Sequence, residues 1–446
     1  MDRNKLSAVL ERVPDTKELI IGSGVIQKIV EIFKTLFPGK SAVVVADDIT
    51  YSVAGKEIDT ALKAAGLQAG KAFIFPGTPM LHADYHHVRE LREYLAANVS
   101  IPIAVGSGTI NDIVKRGAFE AGRRYIIAAT AASVDGYSGF GASIVKDGFK
   151  QTLECSAPLG IIADLDVLKK APKEMTSAGY ADLASKLTAG ADWITADALE
   201  LDKIVKPVWD IVQKDLRLWL DEPDKLAKGC DQQFEYLFEG LTMTGFSLQI
   251  LKRTRSVSGC EHLFSHVLEM QDLQIKGVPV SHGFKVAVGT LLGTALYETL
   301  FLKEADQLEP EKIIKCWKPW EEREKEIINT FKGTLIVESV LNESKKKYLS
   351  LPELEKRVER VKSIWDDLRK EISKQLIRYK DLKEMFLSAG CPIKPGKINL
   401  TKKEVREAVI KAQMIRNRYT VLDLAFELGL LYEAIDAILD SDQYLN

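Results

Sequence analysis

The stretch Ile101-Pro-Ile-Ala-Val-Gly-Ser-Gly-Thr-Ile-Asn-Asp112 decides the fold of this 446-residue chain. Residues 101–105 read as a buried strand and 110–121 as a helix, with two glycines between them. Backbone N–H groups and the positive end of such a helix favour an anion, for example a pyrophosphate, and small residues let it come close. Gly106, Ser107, Gly108 and Thr109 are therefore candidate phosphate contacts. The third glycine of the dinucleotide fingerprint is absent here, and also at Gly22-Ser23-Gly24, which reads first as a tight turn.

Outward from this unit, short strand patterns fall at 18–22, 41–48, 71–76, 125–130 and 159–163, with helical spacing at 25–36, 52–66 and 83–98 between them. Alternation at these intervals predicts an α/β domain with a mostly parallel, Rossmann-like sheet over residues 1–166. Lys146-Asp147-Gly148-Phe149 predicts the turn of a hairpin arm within 143–154. Beyond Asp164 helical spacing recurs without a convincing strand, so 167–446 is expected to be all-α. The charged run Glu353–Arg378 reads as a mostly solvated helix.

Composition sets bounds. Hydrophobic residues make up 46% and charged residues 28%, enough for two cores. A net charge of -2 supplies no basic field, so no nucleic-acid partner is expected. The apolar run Phe284–Leu302 contains Lys285 and Glu298, which favours a buried helix over a membrane span. No signal peptide is read behind Met1-Asp-Arg-Asn-Lys5. Five scattered cysteines with no Cys-x-x-Cys pair suggest a reduced, cytoplasmic setting.

Three segments carry candidate chemistry. His262 and His266 stand at i, i+4 in Ser258-Gly-Cys-Glu-His-Leu-Phe-Ser-His266, and His282 follows a Gly-Val-Pro turn. Three imidazoles with a carboxylate from elsewhere would make a first-row metal site. Ser258-x-x-Glu261 has the form of a capping box that starts the helix at Gly259. Asp182, in Gly179-Tyr-Ala-Asp-Leu-Ala-Ser-Lys-Leu187, is costly to bury unless paired or metal-bound; its plain alternative is a helix-start aspartate. Thr130-Ala-Ala-Ser-Val-Asp-Gly-Tyr-Ser-Gly139 follows a strand, where hydroxyls can hold a cofactor and Asp135 can face a hydroxylated substrate; a capped turn explains it equally. His82, His86 and His87 read as surface or cofactor-adjacent residues.

Taken in order, Gly106-Ser-Gly-Thr-Ile-Asn-Asp112, Thr130-Ala-Ala-Ser-Val-Asp-Gly136, Ile161-Ile-Ala-Asp-Leu-Asp-Val-Leu168, Gly179-Tyr-Ala-Asp-Leu-Ala-Ser-Lys186 and Glu261-His262…His266…His282-Gly283 resemble the sn-glycerol-1-phosphate dehydrogenase family, bacterial branch. That family lies among the dehydroquinate synthases and metal-dependent alcohol dehydrogenases. The resemblance runs from about residue 18 to Arg416-Asn-Arg-Tyr-Thr420. It implies a metal held by Asp182, His262 and His282, with His266 reassigned to the substrate beside Asp135 and Asp182. NAD or NADP would lie on Gly106–Ile110 and Thr130, Ala131, Ala132 and Ser133. A serine the family often has falls on Gly139 here, with Ser138 beside it.

The implied reaction is reversible reduction of dihydroxyacetone phosphate to sn-glycerol 1-phosphate. A divalent ion (zinc, nickel or iron) would polarise the carbonyl in a cleft between the domains. Asp47, closing its strand, would accept hydrogen bonds from the adenosine ribose, with Asp48 next to it. Lys252, Arg253, Arg255 and Lys285 are cations near the metal motifs in sequence. A homodimer is expected. The alternatives are a glycerol or other polyol dehydrogenase and a dehydroquinate-synthase-like cyclase.

Overall fold

The computed structural model describes residues 3–444 except Pro79 and Gly148. The strands are β1 (Glu18–Gly22), β2 (Ala42–Asp47), β3 (Phe73–Phe75), β4 (Ile101–Gly106), β5 (Ile126–Ala129), β6 (Ala142–Lys146), β7 (Phe149–Leu153) and β8 (Gly160–Asp164). Six of them form one sheet in the order β1-β8-β5-β4-β2-β3, and every neighbouring pair is parallel. β4, β5 and β8 are buried along their whole length, as is β2 up to Ala46. Strands covered on both faces read as continuous apolar runs, which is why they were legible. Helices Ile29–Leu36 and Lys56–Ala64 close one face, packing Ile29, Phe33, Ile58 and Leu62 with Val44, Ile103, Ile126 and Ile162.

Strand order fixes where a ligand is best received. The chain leaves β2 outward to β3, but leaves β4 in the opposite direction, to β5. A crevice therefore opens beyond the carboxyl ends of β2 and β4, at the topological switch point. Asp47 ends one of these strands and Gly106 the other.

The antiparallel pair β6–β7 forms the expected arm, with Lys146 opposite Phe149. Gly148 of its turn lies outside the described residues. Beyond β8 the described residues hold one further ladder, Gln274–Ile275 with Val278–Pro279, and otherwise helices. By contacts the chain divides into two compact units, residues 1–183 with 207–254 and residues 184–206 with 255–446. The sheet's unit thus includes helices Lys173–Ala184 (all but its last residue) and Asp231–Leu251, beyond the sequence-based division at 166/167.

The second unit is built around helix His282–Leu300, which is buried from Lys285 to Tyr297. Among the described residues no single helix is long and apolar enough to cross a membrane. Gly289 lets helix Cys260–Met270 approach closely: a Cβ there would stand 2.6 Å from the Glu261 carbonyl oxygen. Helix Leu351–Gln375 is mostly solvated, as expected, but one of its faces is not. Leu354, Val358, Val361, Trp365, Leu368 and Ile372 form a buried stripe, and the helix packs on Lys186–Ala198. The alternating three- and four-residue spacing was present under the charge.

Candidate active site

In the first unit, the site begins where β4 ends. Ser107 is the N-cap of helix Gly108–Glu120 and makes no side-chain capping bond. Ser107, Gly108 and Thr109 are partly exposed, while Gly106 and Ile110 are buried. The first N–H groups of this helix are thus available to an anion at the strand ends. The Thr130 N–H donates to the Gly106 carbonyl at 3.1 Å, laying Thr130–Ser133 beside this turn. Gly179 then presses against the same loop. A Cβ on it would sit 1.9 Å from the Ala132 carbonyl oxygen, so no larger residue fits.

That close approach carries Asp182, three residues on, into full burial. Its Oδ2 accepts the Asp135 backbone N–H at 3.0 Å, so two aspartates picked from sequence are brought together. Lys115 braces the loop that follows. Its buried ammonium donates to the carbonyls of Gly136 (2.8 Å), Gly139 (3.0 Å) and Gly141 (3.1 Å). Three donors on three carbonyls offset the cost of dehydrating the charge. Ser138 is put to another use than cofactor contact: it is fully buried and its hydroxyl donates to the Thr242 carbonyl at 2.7 Å. Asp47 caps the turn after β2, accepting the Thr50 N–H at 2.7 Å. His82 and His86 are exposed, and His87 lies 3.2 Å from Glu90.

The second unit holds the histidines. His262 and His266 share helix Cys260–Met270, with ring centroids 6.2 Å apart. A hairpin follows, with Lys276 and Gly277 both at positive φ (51° and 79°) between its two short strands. This two-residue reversal returns the chain so that His282, first residue of its helix, faces His262 at 5.2 Å between centroids.

Each of these two rings is held by a carboxylate. His262 Nδ1 lies 2.8 Å from Glu261 Oε1, and His282 Nδ1 lies 2.8 Å from Glu269 Oε1. Such a bond on one ring nitrogen fixes the tautomer and would make Nε2 the atom to face a metal. Glu261 is fully buried and also accepts the Gly259 N–H (2.7 Å) and the Thr188 hydroxyl (2.8 Å). Burial pushes its carboxyl up, but His262 and the Gly259 N–H outweigh this and hold it below the usual range. The donor set suits a divalent first-row ion. Burial, with the charges of His262, His282 and Arg416, pushes His266 down to about 3 against the pull of Glu269. That ring is therefore neutral at physiological pH.

The expected capping box is only half formed. Glu261 reaches back to the Gly259 N–H, but Ser258 Oγ accepts Arg418 Nη1 at 2.6 Å, leaving Gly259 as the N-cap. Two of the suggested cations are structural. Arg255 is buried, donating to the carbonyls of Asp192 (2.6 Å) and Tyr419 (2.9 Å), and Lys285 lies 3.6 Å from Glu269. Sequence reasoning missed Lys115, Glu269 and Asp192. Asp192 accepts from Cys260 N (2.7 Å), Val421 N (2.8 Å) and the Tyr297 hydroxyl (2.9 Å). Its signal, a carboxylate in the small-residue run Thr188-Ala-Gly-Ala-Asp-Trp193, was the same one that singled out Asp182.

Residues 20–172 match the family model described as iron-containing alcohol dehydrogenase. The chain is 33% identical over 269 residues to a glycerol-1-phosphate dehydrogenase of Halalkalibacterium halodurans, covering 60% of this chain and 67% of that one. A relative of the same name from Bacillus licheniformis is 27% identical over 93% of this chain and 90% of its own. Among solved structures, a probable glycerol dehydrogenase from Sinorhizobium meliloti shares the fold, with a TM-score of 0.60 at 16% identity, covering 95% of this chain and 98% of that one. With these similarities, the chain belongs to the glycerol-1-phosphate dehydrogenase family, within the iron-containing alcohol dehydrogenase group.

Proposed function

We propose that this chain is a metal-dependent, NAD(P)-linked alcohol dehydrogenase that reversibly reduces dihydroxyacetone phosphate to sn-glycerol 1-phosphate, supplying the backbone for phospholipid biosynthesis. The observation that carries the reading is the facing pair His262 and His282, each oriented by its own carboxylate, in a chain of this family. In this reading Asp182, His262 and His282 hold the ion. Residues 1–166 serve the nucleotide, and 167–446 the metal and substrate.

When bound, the divalent ion supplies Lewis acidity at the substrate carbonyl, and the nicotinamide supplies the hydride. The chain's own residues do the rest. N–H groups of Gly106–Ile110 receive the pyrophosphate, with Thr130–Ser133 alongside, and Asp47 faces the ribose. Asp135 accepts a substrate hydroxyl while its backbone N–H holds Asp182. His266, neutral because of its burial, would hydrogen-bond a substrate hydroxyl and orient it without adding a positive charge to the site, and the proton taken up by the product hydroxyl comes from solvent. Zinc, nickel and iron all suit the donors, and the enzyme is read as a cytoplasmic homodimer.

The test is oxidation of NADH and NADPH by metal-free protein, with zinc, nickel or iron added back, using dihydroxyacetone phosphate against dihydroxyacetone. The reading expects metal-dependent turnover with strong preference for the phosphate ester. Equal use of the two substrates would assign the chain to polyol oxidation instead. Full activity without metal would remove the ion from the mechanism.

A further inference from the structure

The substrate in the proposed reaction carries a phosphate dianion, and the residues above supply no cation to receive it. The cations around the histidines are mostly committed. Arg255 is spent on two backbone carbonyls, and its Nε lies 3.5 Å from Asp202. Lys285 is paired with Glu269 at 3.6 Å. Arg418 donates to the Ser258 carbonyl at 2.8 Å and hydroxyl at 2.6 Å. Lys252 lies over the Phe140 ring, its Nζ 5.4 Å from the centroid.

Arg416 differs from all of these. It is exposed, and among the described residues no hydrogen bond or ion pair engages its guanidinium. Its position is nevertheless fixed, because the segment that carries it is tied on every side. The Asn417 N–H donates to Glu343 (3.2 Å), Arg255 donates to the Tyr419 carbonyl (2.9 Å), and the Val421 N–H donates to Asp192 (2.8 Å). The Tyr419 hydroxyl donates to Glu427 at 2.7 Å, and Thr420 closes a capping box with Asp423. Through Arg418 the segment is pinned to Ser258, four residues before His262.

Arg416 acts on the Glu343 carboxylate as well as on Arg418. Burial and the neighbouring guanidiniums of Arg255 and Arg416 push Arg418 down to about 10, although Glu261 and Asp192 pull the other way. A dianion at Arg416 would relieve this repulsion. Arginine is the side chain best shaped for such a partner, since its planar fork binds phosphate oxygens two at a time.

We propose that Arg416, presented on the braced 416–420 segment beside the histidine helix, is the residue that binds the substrate phosphate and so sets the preference for a phosphorylated ketone. This rests on the reaction proposed above, and the experiment separates the two. Wild type, Arg416→Lys and Arg416→Met are assayed with dihydroxyacetone phosphate and with dihydroxyacetone, and inorganic phosphate is titrated as a competitive inhibitor. The ratio of kcat/KM for the two substrates should fall about ten- to a hundredfold in R416M, mainly through KM, with partial recovery in R416K. Inhibition by inorganic phosphate should weaken in parallel, a change that a purely structural role would not produce. A preference seen in wild type and kept in R416M overturns the assignment of Arg416 alone. No preference in wild type overturns the proposed reaction, and this assignment with it.

Discussion

Asp182 is the single residue on which the metal reading turns. A fully buried carboxylate is tolerated only when it is paired, and the Asp135 N–H at 3.0 Å is one such partner. Asp182→Asn keeps the shape but removes the charge that a cation needs. Metal content measured by mass spectrometry and NADH oxidation should fall together, each by at least about tenfold. A variant that retains both would exclude Asp182 as a ligand. Glu427 gives a separate test. Burial raises its carboxyl to about 7, although Arg357 and Tyr419 pull it down. In the unfolded chain it ionises near 4.5. Between these values the unfolded state sheds a proton that the folded state keeps, so this group's contribution to stability falls as pH rises through 4.5 to 7. The Glu427→Gln variant lacks that loss. From the lower to the upper end of this window, wild type should lose on the order of 3 kcal/mol more than the variant in urea unfolding. Equal pH dependence in the two proteins would refute it.

At the level of elements, the loop after β5 depends on a residue from a different element. Lys115, in the middle of helix Gly108–Glu120, holds three carbonyls between Gly136 and Gly141. Lys115→Met would leave all three buried oxygens without their donor. The expected cost is about 3 kcal/mol or more by denaturant unfolding, with a raised KM for the nucleotide as the 130–139 loop relaxes. Unchanged stability would mean that water replaces the ammonium without penalty. The same scale shows where local rules stop. Ser258-x-x-Glu261 satisfies the capping pattern, yet Arg418, 160 residues away in sequence, takes the serine hydroxyl. The charged helix Leu351–Gln375 hides a full apolar stripe, because its exposed face outnumbers its buried one.

For the whole molecule, the metal should behave as a stabilising ligand as well as a chemical one. Chelation should lower the melting temperature and abolish turnover, with both restored by adding one of the three ions. At a hundred times its Kd a ligand of the folded state adds about 2.7 kcal/mol. A melting temperature indifferent to chelator would argue against a resident ion. The sequence by itself determined the alternation of buried strands and amphipathic helices, since parallel strands covered on both faces must be apolar throughout. It also determined the candidate metal-binding residue types, because an aspartate in a small apolar run and histidines at helical spacing are local patterns. Only the tertiary structure decided which carboxylate orients which imidazole and which lysine braces the Asp135 loop. Apart from Glu261, which adjoins His262, these are contacts between groups 13 to 26 residues apart, such as Glu269 with His282 and Lys115 with Gly141, and no local periodicity records them.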